Sequence, residues 1–221
     1  MNKEELFSEC IAQALDDMCD AVEETPILKL KNLDRDKSVL VIIDMVNGFV
    51  NEGNLSSKRI RSINNDIAEI SECFDLMGIQ RIAFTDCHNS ESPEFEIYPK
   101  HCMIGTKETE LTDEIKRTGI IPTIRKNSTN GFIEDEFLHW IIENRQIDTF
   151  VIVGCCTDLC VLQFALTVKA HFNRLNRKSH IIVPANLVET YDGPNHDGDL
   201  CNMWALNNMI TNGVEVVSDY E

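Results

Sequence analysis

The stretch "DTFVIVGCCTDLCVLQFA", residues 148–165, decides the fold. A run of Val and Ile of strand length ends at Gly154, meets three cysteines within six positions (Cys155, Cys156, Cys160), and gives way to apolar residues at helical spacing. An uninterrupted apolar strand followed by a helix is the repeating unit of a parallel sheet buried on both faces.

The same unit recurs along the chain. "SVLVIID" (38–44) ends in Asp44, "IQRIAFTD" (79–86) in Asp86 and "GIIPTIRK" (119–126) in Lys126, with Pro122 marking the last of these as irregular or near an edge. "HIIVPA" (180–185) and "VEVVS" (214–218) complete six predicted strands. Helical periodicity is expected over 58–77, 107–118, 133–144, 157–175 and 197–211, and over a leading amphipathic segment at 3–22. The alternation predicts an α/β protein, a three-layer αβα architecture with a six-stranded, mostly parallel sheet. One domain over 1–221 is expected, with a helical extension over 1–34 and a catalytic core over 35–221.

Composition narrows the functions available. Thirty-seven acidic against twenty basic residues give a formal charge of −17, which repels nucleic-acid phosphates and anionic membranes. No apolar run reaches the ~20 residues that span a bilayer, and the acidic start is unlike a secretory signal, so a cytoplasmic protein is expected. Nine cysteines without a C-x-x-C pair argue for free thiols over a disulfide framework or a structural zinc site. Cys10, Cys19, Cys73 and Cys201 are expected as small apolar filler.

Open parallel sheets bind ligands at the carboxyl ends of their strands, so Asp44, Asp86, Lys126 and the Cys155–Cys160 segment are expected on one rim. If a helix begins near Thr157, capped by Thr157 or Asp158, Cys160 lies in its first turn, where backbone N–H groups favour a thiolate. Asp44 could accept the thiol proton and Lys126 stabilise the resulting anion. Alone, a cysteine in a first helical turn is more often filler than nucleophile, Asp44 could be only a loop cap and Lys126 a surface cation; their convergence on one sheet edge favours the catalytic reading. Cys155 and Cys156 would shape the floor of the site, with backbone N–H groups forming an oxyanion hole.

A second cluster lies in "TDCHNSESPEFEIYPKHC" (85–102), which carries Asp86, His88, Glu94 and His101. Two imidazoles and two carboxylates suit Zn²⁺, Mn²⁺ or Fe²⁺, and by spacing alone a solvated loop fits as well.

The segments "VLVIIDMVNGFV", "RKNSTNGF" and "VIVGCCTDLCV" resemble the three signatures of the isochorismatase-like cysteine hydrolases, in order and at family spacing, over residues 38–218. The resemblance implies a triad of Asp44, Lys126 and Cys160, a cis peptide between Cys155 and Cys156, and an oxyanion hole from the N–H groups of Cys156 and Cys160. The second cluster resembles the metal loop of the nicotinamidase branch, with "YPKHC" in place of W-P-x-H-C. It departs at D-C-H-N, where D-W-H-P is common, and at Ser92-Pro93-Glu94, where a further His and Ser are common. Glu94 falls where a subset of the family uses glutamate, which implies a fourth ligand beside Asp86, His88 and His101; Glu91 and Glu96 are expected to be solvated.

By resemblance the chain hydrolyses nicotinamide to nicotinate and ammonia through a cysteine thioester, in NAD salvage. One divalent ion, zinc first and manganese or iron as alternatives, would position the pyridine ring. Phe49, Tyr98 and Cys155 are expected against the substrate, and Phe132 as either a pocket wall or core. A competing reading keeps the triad without a metal, as another amidase or carbamoyl hydrolase; a third is a non-catalytic binding protein on the same scaffold. The helices at 3–22 and 157–175 suggest homo-oligomer contacts.

Overall fold

A computed structural model describes residues 9–221, the side chains of residues 9 and 10 excepted. In chain order the elements are α1 (Glu9–Glu23), β1 (Ile27–Leu28), β2 (Ser38–Ile43), α2 (Asn47–Val50), α3 (Lys58–Ser62), α4 (Asn64–Leu76) and β3 (Gln80–Asp86). They continue with α5 (Asp113–Lys116), β4 (Thr123–Lys126), α6 (Asp135–Glu143), β5 (Thr149–Cys155), a π-helical turn (Thr157–Val161) and α7 (Leu162–Arg174). β6 (His180–Pro184), β7 (Val188–Glu189), α8 (Gly198–Thr211), β8 (Glu215–Val217) and β9 (Asp219–Tyr220) complete the chain. Residues 3–8 of the expected leading helix lie outside the described residues.

β2 is buried along its whole length because its side chains feed two cores. Val39, Val41 and Ile43 join Phe84, Phe137, Phe150 and Phe164 on one face, while Leu40 and Ile42 join Ile67, Ile70 and Phe74 on the other. That two-residue alternation, apolar on both sides, is why the strand reads as unbroken apolar sequence.

The main sheet runs β4-β3-β2-β5-β6-β8, and every pairing in it is parallel. All six expected strands are present, with β4 at an edge. A seventh, β7, extends the pairing along β5: β6 pairs Thr149–Val151, and after a 3-10 turn at Ala185–Leu187, β7 pairs Gly154 and Cys155. Neighbouring β2 and β5 are the point where the strand order reverses, the position at which such sheets open a ligand crevice. A separate two-stranded sheet pairs β1 with β9.

Three helical expectations need correction. The 58–77 helix is broken at Ile63. Only a 3-10 turn at Lys107–Thr109 and the single turn of α5 form within 107–118. There, long-range pairing overrides local propensity: Glu110 O accepts from Asn47 N, Thr112 N donates to Met45 O, and Leu111 bridges Val46. The 157–175 helix opens with the π turn rather than an α turn. Cys19 is exposed, its Sγ 3.0 Å from Met203 Sδ, because α1 lies on the surface; Cys201 is half-buried, and Cys73, also half-buried, packs against the core. Cys10 has no described side chain.

Two backbone positions fix the rim. Gly154 has φ +119°, and a Cβ there would lie 2.0 Å from Ile43 O. Asp44 adopts φ +55°, a left-handed conformation that turns the chain sharply out of β2.

Candidate active site

Lys126 is the hub of the site. It ends β4 only 1 % exposed, with Nζ 2.9 Å from Asp44 Oδ2 and 2.7 Å from Asp86 Oδ1, and it donates to Ser128 O at 3.1 Å. An ammonium so buried is tolerable because two carboxylates from two other strands neutralise it. Burial alone would lower its pKa, but Asp44 and Asp86 outweigh that and hold it well above the usual lysine range. The buried Asp44 pairs with Lys126 at close range, yet neither of its oxygens completes a well-directed hydrogen bond. Burial pushes its carboxyl up to about 6, against the pull of Lys126. Asp86 is held well below the usual carboxylate range although burial opposes it, because the Lys126 ammonium favours its anion.

Cys160 sits in the π turn, buried, on the same cavity as Asp44 and Lys126. Burial pushes its thiol well up, and the Lys126 ammonium works in the opposite direction. The resting side chain is therefore a thiol facing a carboxylate. Cys156 O accepts from the amides of Leu159 and Val161 but not from that of Cys160. The Cys155–Cys156 peptide is cis.

Beside this group, Asp86 Oδ2 lies 2.8 Å from His88 Nε2 and 3.1 Å from His101 Nε2. The far side of each ring is committed to an oxygen: His88 Nδ1 to Asn127 Oδ1 at 2.9 Å, His101 Nδ1 to the Pro99 carbonyl at 2.8 Å. With Nδ1–H donating, each Nε2 turns a lone pair toward the Asp86 carboxylate. Three buried acceptor atoms converging in this way fit a divalent cation, with the outer bonds fixing tautomer and ring orientation. Glu94 stands at the margin, Oε2 3.7 Å from His88 Nε2, outside that tight group.

Asp44, Asp86, Lys126, Cys156, Cys160, His101 and Glu94 all line one cavity of about 560 Å³. Both expected clusters thus open onto a single chamber, joined by the two oxygens of Asp86.

A sequence profile of the isochorismatase domain matches residues 38–218. The chain belongs to the isochorismatase family. This isochorismatase-family chain is 34 % identical over 193 residues to nicotinamidase 1 of Arabidopsis thaliana, an alignment covering 79 % of this chain and 77 % of that one. Its fold superposes on the nicotinamidase/pyrazinamidase PncA of Bacillus subtilis with a TM-score of 0.69 at 25 % identity, over 82 % of this chain and 100 % of the other. The pyrazinamidase of Pyrococcus horikoshii, solved in complex with zinc, shares the fold at a TM-score of 0.64 and 21 % identity, over 82 % and 98 % of the two chains. Within the family these similarities place the chain on the nicotinamidase branch.

Phe49 and Tyr98 line the cavity of this isochorismatase-family chain and flank His101, with ring centroids 5.8 and 6.2 Å away. Glu91 and Glu96 are exposed, as expected. Phe132 belongs to the core, against Phe137, Phe164 and His171. Two expectations are overturned. Cys155 does not reach the cavity: it is fully buried, and its thiol donates to Asp44 O at 3.4 Å, bracing that turn. Neither Thr157 nor Asp158 caps the turn that holds Cys160. The Thr157 hydroxyl is buried without a partner, and Asp158 is drawn sideways to Thr190 and His196.

Sequence reasoning missed three contributors. Asn127, inside "RKNSTNGF", sits beside Lys126 and orients His88. Arg59 lines the cavity and ties α3 to β7 and α8, reaching Glu189 Oε1 at 3.2 Å and Asp199 Oδ1 at 2.6 Å. Tyr191 lines the chamber from the segment "ETYDGPNHDG". That turn-rich run just past a strand's carboxyl end was the available signal.

Proposed function

We propose that this protein hydrolyses nicotinamide to nicotinate and ammonia through a thioester on Cys160. The observation that carries the proposal is Asp86, whose one oxygen pairs with Lys126 and whose other faces His88 and His101, so that nucleophile and ring-positioning cluster share one chamber. Kinship with nicotinamidases supports the choice of substrate.

Asp44 takes the Cys160 proton as Sγ attacks the carboxamide carbon. Lys126 holds Asp44 in place and offsets the negative charge that moves from carboxylate to thiolate. The N–H groups of Cys156 and Cys160 are assigned to the tetrahedral oxyanion. Asp44 then returns its proton to the departing nitrogen, releasing ammonia and leaving the acyl group on Cys160. In the second half Asp44 accepts a proton from water as that water attacks the thioester; nicotinate leaves and Cys160 regains its proton. The buried Asp86, His88 and His101 would hold a divalent ion, zinc foremost, with Glu94 at its margin, and a bound ion supplies a Lewis-acid contact for the pyridine nitrogen.

The deciding assay is ammonia release from nicotinamide by purified protein, before and after metal stripping and with Zn²⁺, Mn²⁺ or Fe²⁺ restored. Silence with every metal overturns the substrate assignment.

Asp44, its carboxyl raised to about 6, sets the acid side of the pH profile. Below that value the base already holds a proton, so kcat/KM should fall about tenfold per pH unit as pH drops and level off above about pH 6. A rate still climbing tenfold per unit above pH 7 would remove Asp44 from that role.

Asn127→Ala frees the outer nitrogen of His88 and should weaken metal affinity by roughly 10- to 100-fold, measured by competition with a chromophoric chelator. Glu94→Gln should cost less than Asp86→Asn in the same titration, given its marginal place. Unchanged affinity in Asn127→Ala would mean that this bond does not orient the ligand.

A further inference from the structure

Residues 191–194 line the chamber, and the segment they belong to is unusually well defined. The Tyr191 and His196 rings stack with centroids 4.0 Å apart and planes 2° apart. A tight turn produces the stack: Gly193 N donates to His196 O at 2.9 Å and His196 N to Gly193 O at 3.0 Å, folding residue 196 back over residue 191. The imidazole is then held at both nitrogens, Nδ1 2.8 Å from Tyr191 O and Nε2 2.8 Å from Asp158 Oδ2.

Asp158 is the link that matters. It belongs to the turn that carries Cys160, two positions before the nucleophile, and its other oxygen accepts from Thr190 Oγ1 at 2.6 Å. One carboxylate therefore bolts the nucleophile's turn to both ends of the Tyr191 segment. The Cys201 thiol lies close enough to suggest a metal trio with Asp158 and His196. Hydrogen bonds already occupy both carboxylate oxygens and both ring nitrogens, so that trio needs no ion to explain it. Tyr191 itself lines the chamber with Tyr98, Leu159 and Cys156. Burial, with Tyr98 and Cys156 nearby, pushes its phenol up to about 12, so the ring presents a neutral face.

We propose that Tyr191 is a specificity-determining wall that selects flat aromatic amides, and that His196 and Asp158 are positioning residues that hold this wall against the turn of Cys160. An aromatic ring braced from behind by a parallel stack loses little freedom when a second flat ring packs on it, whereas an acyclic amide gains nothing from the same surface. The inference deepens the nicotinamidase reading and rests on it for its substrate.

The test uses the intact, metal-replete protein as wild type, Tyr191→Ala, Tyr191→Leu, Tyr191→Phe and His196→Ala. Two readouts are taken: KM and kcat for nicotinamide, and the rate of alkylation of the Cys160 peptide by iodoacetamide with and without nicotinamide as protectant. Tyr191→Ala and Tyr191→Leu should raise KM and weaken protection by roughly tenfold, with kcat and unprotected alkylation within about threefold of wild type. Tyr191→Phe, which keeps the ring, should rescue most of the KM and protection lost in Tyr191→Leu, and His196→Ala should raise KM by roughly threefold. Tyr191→Leu keeps bulk without the ring and serves if the alanine variant does not fold. KM unmoved in Tyr191→Leu, or alkylation falling while KM stays constant, overturns the wall. If wild type turns over no nicotinamide and is not protected by it, the substrate reading fails separately. Pyrazinamide and benzamide then serve as protectants: protection lost in Tyr191→Leu sustains the wall for aromatic amides, and no protection by either overturns it too.

Discussion

Cys160→Ala is expected to lower kcat for amide hydrolysis by at least about 10⁴-fold while leaving a folded protein that still binds metal. The magnitude follows from what the thiol does in the proposed mechanism. Without Sγ no thioester forms, and what survives is the contribution of the oxyanion donors and of binding, which in other acyl-transfer enzymes leaves only a small residue of catalysis. The fold should tolerate the change, because alanine removes one buried sulfur and adds no new polar group. Removing the thiol also leaves the Asp44–Lys126 pair intact, so the titration assigned to Asp44 can still be followed in the inactive protein. Ammonia release, with mass spectrometry of acid-quenched protein, checks both sides: an acyl adduct in wild type and none in the variant. Retention of more than about 1 % of wild-type kcat would rule out covalent catalysis at this residue.

The second large effect is on stability. Gly154→Ala should destabilise the protein by about 4 kcal/mol or more and abolish soluble expression at ordinary temperature. Gly154 combines φ +119°, a conformation closed to side-chain-bearing residues, with an added Cβ that would meet Ile43 O at 2.0 Å. The obstacle is backbone of the central strand β2, which cannot rotate out of the way, and β2 pairs with β5 from Ser38 to Ile43. Relief would require parting the two strands that carry Asp44 and the cysteine turn. Gly105→Ala is the control: its φ is also positive, at +82°, but nothing lies within 4 Å of the added Cβ, so strain without collision should cost much less. Chemical denaturation of both variants separates the two contributions. Near-equal midpoints would mean that β2 and β5 yield more than their packing implies.

The sheet was readable from sequence because its central strands are covered on both sides and therefore unbroken in hydrophobicity; all six strands lie within a few residues of their expected ranges, although the edge strand β4 alternates exposed and buried positions. Asp44 and Asp86 were readable for the same reason, each standing at or just past the last residue of such a strand, while Lys126 ends the half-exposed edge strand β4. The residues between 107 and 118 were misjudged because strand-like pairing with Met45–Asn47 is a tertiary event with no local signature. Cys155 lies away from the expected pocket because the last residue of a buried strand gives no hint in sequence of which way its thiol faces. The Tyr191–His196 stack lies beyond any spacing rule: a turn closing at Gly193 and His196 brings the rings together, and neither residue type announces a partner five positions away.

The small β1–β9 sheet has a consequence for how the molecule is assembled. Ser218 Oγ bonds to Thr25 O across 193 positions of sequence, and Leu30 N and Glu221 O pair alongside it. Closing so long a loop costs little more entropy than closing one half its length, about 0.6 kcal/mol per doubling. The expense is in time, since contacts between segments this distant in sequence form slowly. β2, β3 and β5 lie nearer one another along the chain and can pair without waiting for it. The β1–β9 pairing is therefore expected to act as a late clasp, so that during refolding a fluorophore near residue 221 should respond after one near β2.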